Sequence, residues 1–286
     1  MRKLSAKQPL VSVIIPTRNS EATIEKCLRS IKKQSYDNIK IIVVDNYSGD
    51  KTRQIAKKYG AKIYLKGPER SAQVNFGAEK SSGKYIYRVD SDFVLQSDVI
   101  REAVESCEKC GYDAIVIHNT SDPTVSFWAR VRKAERDCYK DDELNVAARF
   151  WKKEAFIAVG GFDENLVAGD DYDLHNRLVR SGFKVGRIKA EEVHIGEPKT
   201  LAEVVQKHYY YGKNIGSFVR KHPRKALRQL SPLRESYAKG LSNFFSDPIL
   251  IVGFVVYQFV KYAAAAVGIL SCDIQYFKGL NRIKQW

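Results

Sequence analysis

The chain up to about residue 205 predicts an α/β sheet domain, and three observations carry that prediction. Short runs of almost purely apolar residues recur, helical patterns with apolar positions three or four apart fall between them, and loops rich in Asp, Asn, Ser and Gly close the first runs. The run Val11 to Ile15 breaks at Pro16-Thr17-Arg18-Asn19 and gives way to Ile24, Leu28 and Ile31 on one helical face. Ile41 to Val44 ends in Asp45-Asn46, followed by Ser48-Gly49-Asp50-Lys51-Thr52 and a helix running to about Tyr59. Ile63 to Leu65, Lys84 to Val89 and Ala114 to Ile117 supply a third, fourth and fifth strand. Open sheets of this order bind ligands beyond the carboxyl ends of their strands.

At that edge Asp90 and Asp92 leave the fourth strand one residue apart. Carboxylates so placed hold a hard divalent cation, Mg²⁺ or Mn²⁺, and leave coordination positions for the phosphate oxygens of a sugar-nucleotide diphosphate. Taken alone, Asp-Ser-Asp also reads as a turn and a helix cap. The surroundings favour the metal.

The segments Val-Ser-Val-Ile-Ile-Pro-Thr-Arg-Asn from Val11 and Ile-Ile-Val-Val-Asp-Asn-Tyr-Ser-Gly-Asp-Lys-Thr from Ile41 are followed by Arg70 with Asn75-Phe76-Gly77-Ala78 and by Asp90-Ser91-Asp92. Together, over Val11 to Asp92, they resemble glycosyltransferase family 2. The resemblance implies a GT-A fold, a Rossmann-like mixed sheet flanked by helices that joins a nucleotide-binding half to an acceptor-binding half. It implies that Pro16, Thr17, Asn19 and Glu21 line the nucleotide pocket and that Asp45 contacts the base or ribose. Arg70, Asp90 and Ser91 would contact the nucleotide sugar, and Asp90 and Asp92 the metal. Thr17-Arg18-Asn19 stands where the family often has Tyr-Asn or Arg-Asn, so the first loop matches less closely than the second. Capping and turn formation are the competing roles for Asp45 and Asp50, and a solvated surface position is the competing role for Arg70.

A second constellation is Gly160-Gly161-Phe162-Asp163-Glu164, then Gly169-Asp170-Asp171-Tyr172-Asp173-Leu174, with Arg177 one turn on. Leu174 and Leu178 mark a buried helical face, and the acids fill its first turn, at the positive end of the helix dipole. Three carboxylates within four residues repel unless one is poised as a base or held by a cation. The family pattern here is Glu-Asp-x-Asp-Leu with a downstream Arg, and its second acid is the catalytic base. The resemblance therefore implies Asp171 as base, with Asp170 in place of the Glu and Asp173 as a secondary acceptor-side residue. Such an enzyme inverts the anomeric centre.

His194 ends a strand-like region, Val185 to Val193. In the family a histidine near this point helps hold the metal or diphosphate, while a structural hydrogen bond is the competing role. Gln206 and Tyr210 fall where the cellulose-synthase-like branch carries Gln-x-x-Arg-Trp. Gln206 matches, Tyr210 keeps an aromatic platform for acceptor, and the missing Arg argues against processive polymer synthesis.

From Lys213 to Lys239, cations such as Arg220, Arg224 and Arg228 alternate with Phe218, Leu227 and Leu230, a pattern of amphipathic helices for an anionic membrane, divided by Pro223 and Pro232. Ile249 to Leu270, 22 residues interrupted by Gln258 and Lys261, would cover roughly 33 Å at ~1.5 Å per residue. A central lysine costs about 2.5 to 3.5 kcal/mol on insertion, and each Ile, Leu, Val or Phe returns about 0.3 to 0.6, so the sum narrowly favours a membrane-inserted helix over a buried or dimer-forming one. The expected division is a GT-A catalytic domain at 1–205, basic interface helices at 206–247, and a membrane helix with basic tail at 248–286.

A net charge of +15 over 286 residues implies an acidic partner. The cations concentrate beside the apolar segment and no nucleic-acid motif appears, so that partner is the membrane rather than nucleic acid. Five cysteines without zinc or disulfide spacing, and a short polar leader without a signal peptide, place the catalytic domain on the cytoplasmic face of the cell membrane. The expected reaction is transfer of a single sugar to a lipid-linked acceptor, as in glycolipid or N-glycan precursor assembly. GDP-mannose is the preferred donor by family analogy. A UDP-sugar-dependent polysaccharide glycosyltransferase, and a non-catalytic membrane-bound nucleotide-sugar or nucleic-acid-binding protein, are the alternatives. A homodimer through the C-terminal helix is compatible with each.

Overall fold

A computed structural model describes residues 8–142, 144, 146–240, 242–245 and 247–283, with side chains defined up to Ser271 in the last helix. In chain order the elements begin β1 (Val11–Thr17), α1 (Ile24–Lys32), β2 (Ile39–Asp45), α2 (Thr52–Lys58), β3 (Lys62–Leu65) and α3 (Arg70–Lys80). Next come β4 (Tyr85–Arg88), β5 (Phe93–Leu95), α4 (Val99–Cys110), β6 (Ala114–Val116), β7 (Asn119–Ser121) and α5 (Phe127–Asp137). They continue with β8 (Ala148–Lys152), α6 (Lys153–Ala158), α7 (Asp170–Arg180), β9 (Val185–Arg187) and β10 (Glu192–His194). The rest is helical: α8 (Leu201–Asn214), α9 (Gly216–Lys221), α10 (Pro223–Gln229), α11 (Glu235–Lys239), α12 (Ser242–Phe245) and α13 (Pro248–Ile283).

The chain divides into two compact units. The first comprises the residues up to Asn119 together with Ala147–Glu164 and Leu174–Ile195. Its seven-stranded sheet has the order β3-β2-β1-β4-β8-β6-β9. β1 lies between β2 and β4 and is parallel to both, and every one of its residues is buried. A strand covered on both faces has no polar side to present, which is why the run reads as continuous rather than alternating hydrophobicity. α1 turns Ile24, Cys27, Leu28 and Ile31 into the core and its charged residues to solvent.

The five strands read from the sequence are present. β8 is not among them: it enters antiparallel between β4 and β6 and carries Arg149 into the sheet. The strand-like region from Val185 to Val193 comprises two strands. β9 joins the main sheet beside β6, and β10 pairs antiparallel with β5.

The second unit comprises Thr120–Val146, Asn165–Asp173 and the residues from Gly196 onward. Its core gathers Val131 and Ala134 of α5, Cys138 just past its end, Val204 of α8, Phe244 of α12, and Leu250 and Tyr257 of α13. Thr200 caps α8: its hydroxyl accepts from Glu203 N, and Glu203 reaches back to accept from Lys199 N, one residue before the cap. Pro223 occupies the first turn of α10, where its missing N–H costs nothing.

α13 passes the length and hydropathy test for a membrane span over Pro248–Ser271, yet 22% of its most apolar stretch is buried within the protein. Its buried face packs on α5 and α8. Lys261 points into this contact, donating to Glu135 Oε1 of α5 at 2.9 Å and to Gln258 Oε1 at 3.1 Å. Glu135 also accepts from the hydroxyls of Tyr139 and Tyr237, and Arg132 pairs with its other oxygen. The lysine that counted against insertion is thus neutralised by its own protein.

The α8–α13 crossing is close because glycines form it. A Cβ on Gly212 would lie 2.1 Å from Ala265 O, and one on Gly268 would lie 2.3 Å from Tyr209 O. Helix propensity alone makes Gly212→Ala stabilising by about 1 kcal/mol. Backbone contact reverses the sign, and a loss of about 1–3 kcal/mol is expected, read as a lower urea midpoint with unchanged m-value. A stabilised Gly212→Ala protein would show that the helices do not meet this closely.

Candidate active site

In the first unit, the loop after β1 and the loop after β2 are tied together by the residues that the motifs single out. Asn19 adopts a left-handed backbone (φ 49°), which Asn tolerates better than most residues. Its N–H donates to Ser48 Oγ, and its side-chain oxygen accepts from Gly49 N. Glu21 accepts from Lys51 N, while Glu21 N donates to Asp50. Pro16 and Thr17 are buried at the end of β1, in register with Val44 and Asp45. Asp45 is wholly buried: Oδ2 accepts from the hydroxyls of Thr17 and Ser48, and Oδ1 from Ser48 N. Polar atoms of Thr17, Asn19, Glu21 and Asp45 therefore hold the two loops together. Asn46, half-buried at the exit of β2 and donating to Pro68 O, is the more accessible neighbour of Asp45. Gln73, which the sequence reading did not single out, bonds the carbonyls of both Thr17 and Val44 from α3.

Asp90 follows β4 inside a cluster of arginines. Its Oδ2 accepts from Arg88 at 3.2 Å and Arg149 at 2.9 Å, and Arg70 lies 4.0 Å away. Burial pushes the Asp90 carboxyl up, but Arg88, Arg149 and Arg70 together outweigh it and hold the group well below the usual carboxylate range. Its Oδ1 is buried with no hydrogen-bond partner. Ser91 bonds Ser20 across the turn. Arg149 also lies 3.3 Å from Glu192, a buried carboxylate pushed up by its burial, which accepts from Tyr87 on the other oxygen.

Asp92 is 33% exposed, and its Oδ2 lies 2.9 Å from His194 Nε2. The pairing that brings them together is long-range: β10 sets His194 opposite Phe93 of β5, and Ile195 N donates to Asp92 O. An oxygen and an imidazole nitrogen side by side form a two-member donor pair whose chemistry fits Mn²⁺ or Mg²⁺, with Mn²⁺ better suited to the imidazole. No group of three His, Cys, Asp or Glu side chains suited to a metal occurs among the described residues, so the remaining ligands would come from a diphosphate or water.

Also in the first unit, Asn75 of α3 holds the Gly161-Phe162 turn, donating to Phe162 O and Glu164 and accepting from Phe162 N. Arg177 donates to the carbonyls of Val159 and Gly161. Gly161 sits at φ +64°, and a Cβ there would lie 2.6 Å from Asn75 Oδ1, so the turn requires glycine.

In the second unit, the three acids of α7 have different surroundings. Asp170 is buried, and Asp173 is fully buried with His222 Nε2 at 2.7 Å and Lys221 Nζ at 2.9 Å. Asp171 is half-buried and is the most accessible of the three. Gln206 and Tyr210 lie four residues apart on the exposed face of α8.

Residues 12–162 match the domain described as glycosyl transferase family 2. The chain belongs to glycosyltransferase family 2. Among family relatives, the succinoglycan biosynthesis protein ExoA of Rhizobium meliloti is 26% identical over 77% of this chain and 74% of its own length. The chain spans about three fifths to three quarters of the length of the first curated relatives it matches. The mannosyltransferase PcManGT of Pyrobaculum calidifontis, solved with GDP-Man and Mn²⁺, superposes with TM-score 0.62 at 17% identity, covering 92% of this chain and 87% of that one. TarS 1–349 of Staphylococcus aureus, solved with UDP-GlcNAc, gives 0.51 at 16% identity, covering 94% and 92%. The family 2 chain accordingly has the GT-A fold, and it is a glycosyltransferase.

Arg149→Met leaves Asp90 and Glu192 without the cation between them, and a loss of about 3–5 kcal/mol is expected in chemical denaturation. Adding Glu192→Gln should restore part of that loss. An unchanged unfolding midpoint in the single variant would show that the two carboxylates do not depend on Arg149.

Proposed function

We propose that the chain is a metal-dependent, inverting glycosyltransferase that moves one sugar from a nucleotide donor to a lipid-linked acceptor at the cytoplasmic membrane face. The observation that carries this reading is the Asp92–His194 pair beside the arginine-held Asp90, at the carboxyl edge of a GT-A sheet. GDP-mannose is the preferred donor, supported by the fold likeness to PcManGT with its GDP-Man and Mn²⁺. A UDP-sugar is the second reading, supported by the likeness to TarS with UDP-GlcNAc.

In this mechanism the tied loops after β1 and β2 hold the nucleoside, and Arg70 and Ser91 face the diphosphate sugar. Asp92 and His194 would hold a divalent cation, which would supply charge neutralisation for the departing diphosphate. Asp171 accepts the proton of the acceptor hydroxyl as its oxygen attacks the anomeric carbon. Asp173, engaged by His222 and Lys221, fixes the first turn of α7, in which Asp171 is the most accessible acid. Asp170 is buried in the same turn, and Gln206 and Tyr210 offer an exposed polar and aromatic surface to the acceptor. One base and an in-line leaving group give inversion.

Asp92→Asn should abolish Mn²⁺-dependent nucleotide binding together with turnover, measured by calorimetry and by release of GDP or UDP. Full turnover in that variant would remove the metal from this account. Asp171→Asn should leave donor affinity near that of the parent and lower turnover by about 10² to 10⁴, the usual contribution of a positioned base. Normal turnover in a folded Asp171→Asn protein would assign the base elsewhere.

A further inference from the structure

The two faces of α13 differ in what they touch. The inner face carries Leu250, Gly253, Tyr257, Lys261, Ala264 and Gly268 against α5 and α8. The outer sides of those helices carry charged and polar residues, Arg130 on α5 and Glu203 and Gln206 on α8 beside exposed Val205 and Tyr210, so neither offers a wholly apolar side to a bilayer core. The outer face carries Ile249, Val252, Val255, Phe259, Val267 and Leu270, all exposed, with Phe259 75% exposed and no charge along the stripe. An exposed apolar stripe of this length marks a contact surface.

Charge on the same unit identifies what covers it. Arg220, Arg224 and Arg228 are exposed on α9 and α10, with Leu227 between them 78% exposed. Leu233 is 87% exposed two residues beyond Ser231, whose carbonyl accepts from Tyr262 OH of α13. Cations interleaved with bare leucines beside an apolar helix face fit an anionic lipid surface, which takes the leucines into its acyl boundary and the arginines among its headgroups. A helix that crossed the bilayer would have to bare its inner face to lipid, separating Lys261 from Glu135 and leaving each charge unmatched. We propose that α13 lies flat on one leaflet of an anionic membrane, its outer face in the lipid and its inner face kept on the protein by the Glu135–Lys261 pair, so that both ends of the helix stay on one side.

This inference rests on the membrane part of the proposed function and on no part of the transfer chemistry. The test places single cysteines at either side of the apolar stretch of α13, Ser242→Cys before Pro248 and Ser271→Cys after Leu270, in a Cys110→Ser, Cys272→Ser background; Cys27, Cys107 and Cys138 are buried. In sealed membrane vesicles of both orientations from cells producing the full chain, a membrane-impermeant maleimide should label both positions in the same orientation. Labelling of the two ends from opposite sides overturns the inference while leaving membrane association intact, whereas a protein absent from the membrane fraction overturns both. With purified protein, Phe259→Glu should lower flotation on phosphatidylcholine–phosphatidylglycerol vesicles by about tenfold or more, and Phe259→Ser replaces it if the charged variant does not fold. Undiminished flotation with a dimer dissolved by the same substitution would assign the face to a second copy instead.

Discussion

Arg149 sits between two carboxylates that are both out of water, and the donor edge of the sheet takes its shape from that arrangement. Asp90 must leave β4 with one oxygen turned toward the arginines, and Glu192 must enter β10 with one oxygen turned toward Arg149 and the other toward Tyr87. Both requirements fix the backbone on either side of the site. Asp92 lies two residues beyond the first anchor and His194 two residues beyond the second, so the buried charges set the distance between the two metal-ligand candidates. Leaving any one of these groups unpaired would be costly, because a lone ion in such a place has lost its hydration without compensation. The strand that delivers Arg149 runs antiparallel between parallel neighbours, so the site depends on a local reversal in an otherwise parallel order.

Much of this edge was legible in the sequence, because the information lies in short stretches. An all-buried strand announces itself by uninterrupted apolar residues, and the polar break after it marks the loop; Val11–Thr17 and Ile39–Asp45 show both. β8 was not legible. Ala148-Arg149-Phe150-Trp151 carries a cation at its centre, and only Asp90 and Glu192, 59 and 43 positions away in the chain, make that cation tolerable. The same limit applies to His194: its place beside Asp92 comes from strand pairing across 102 positions, which local patterning does not encode. Asp45 shows the opposite difficulty. Its position in the motif suggests a ligand contact, and its oxygens accept from Thr17 and Ser48, 28 and three positions away, which the motif does not mark as its partners.

The acids of α7 and the lysine of α13 present the same physical problem twice. Three carboxylates in one turn are tolerable because their environments differ: Asp173 has His222 and Lys221, and Asp171 retains access to solvent. Lys261 in an apolar helix is tolerable because Glu135 faces it. In each case a sequence expense points to a partner far along the chain, and the residue type alone states that a partner must exist without stating which.

The Glu135–Lys261 contact joins positions 126 residues apart, and the second unit is assembled from three separate stretches of chain. During synthesis from the N-terminus, α5 is complete long before α13 has been made. Throughout that interval Glu135 has no lysine to meet and its carboxylate stays hydrated, so the core around Val131 and Ala134 cannot close. The unit reaches its final packing only after α13 has left the ribosome. The apolar stripe of α13 is made after α5 and α8, and it stays bare for a shorter time than it would had it been made before them.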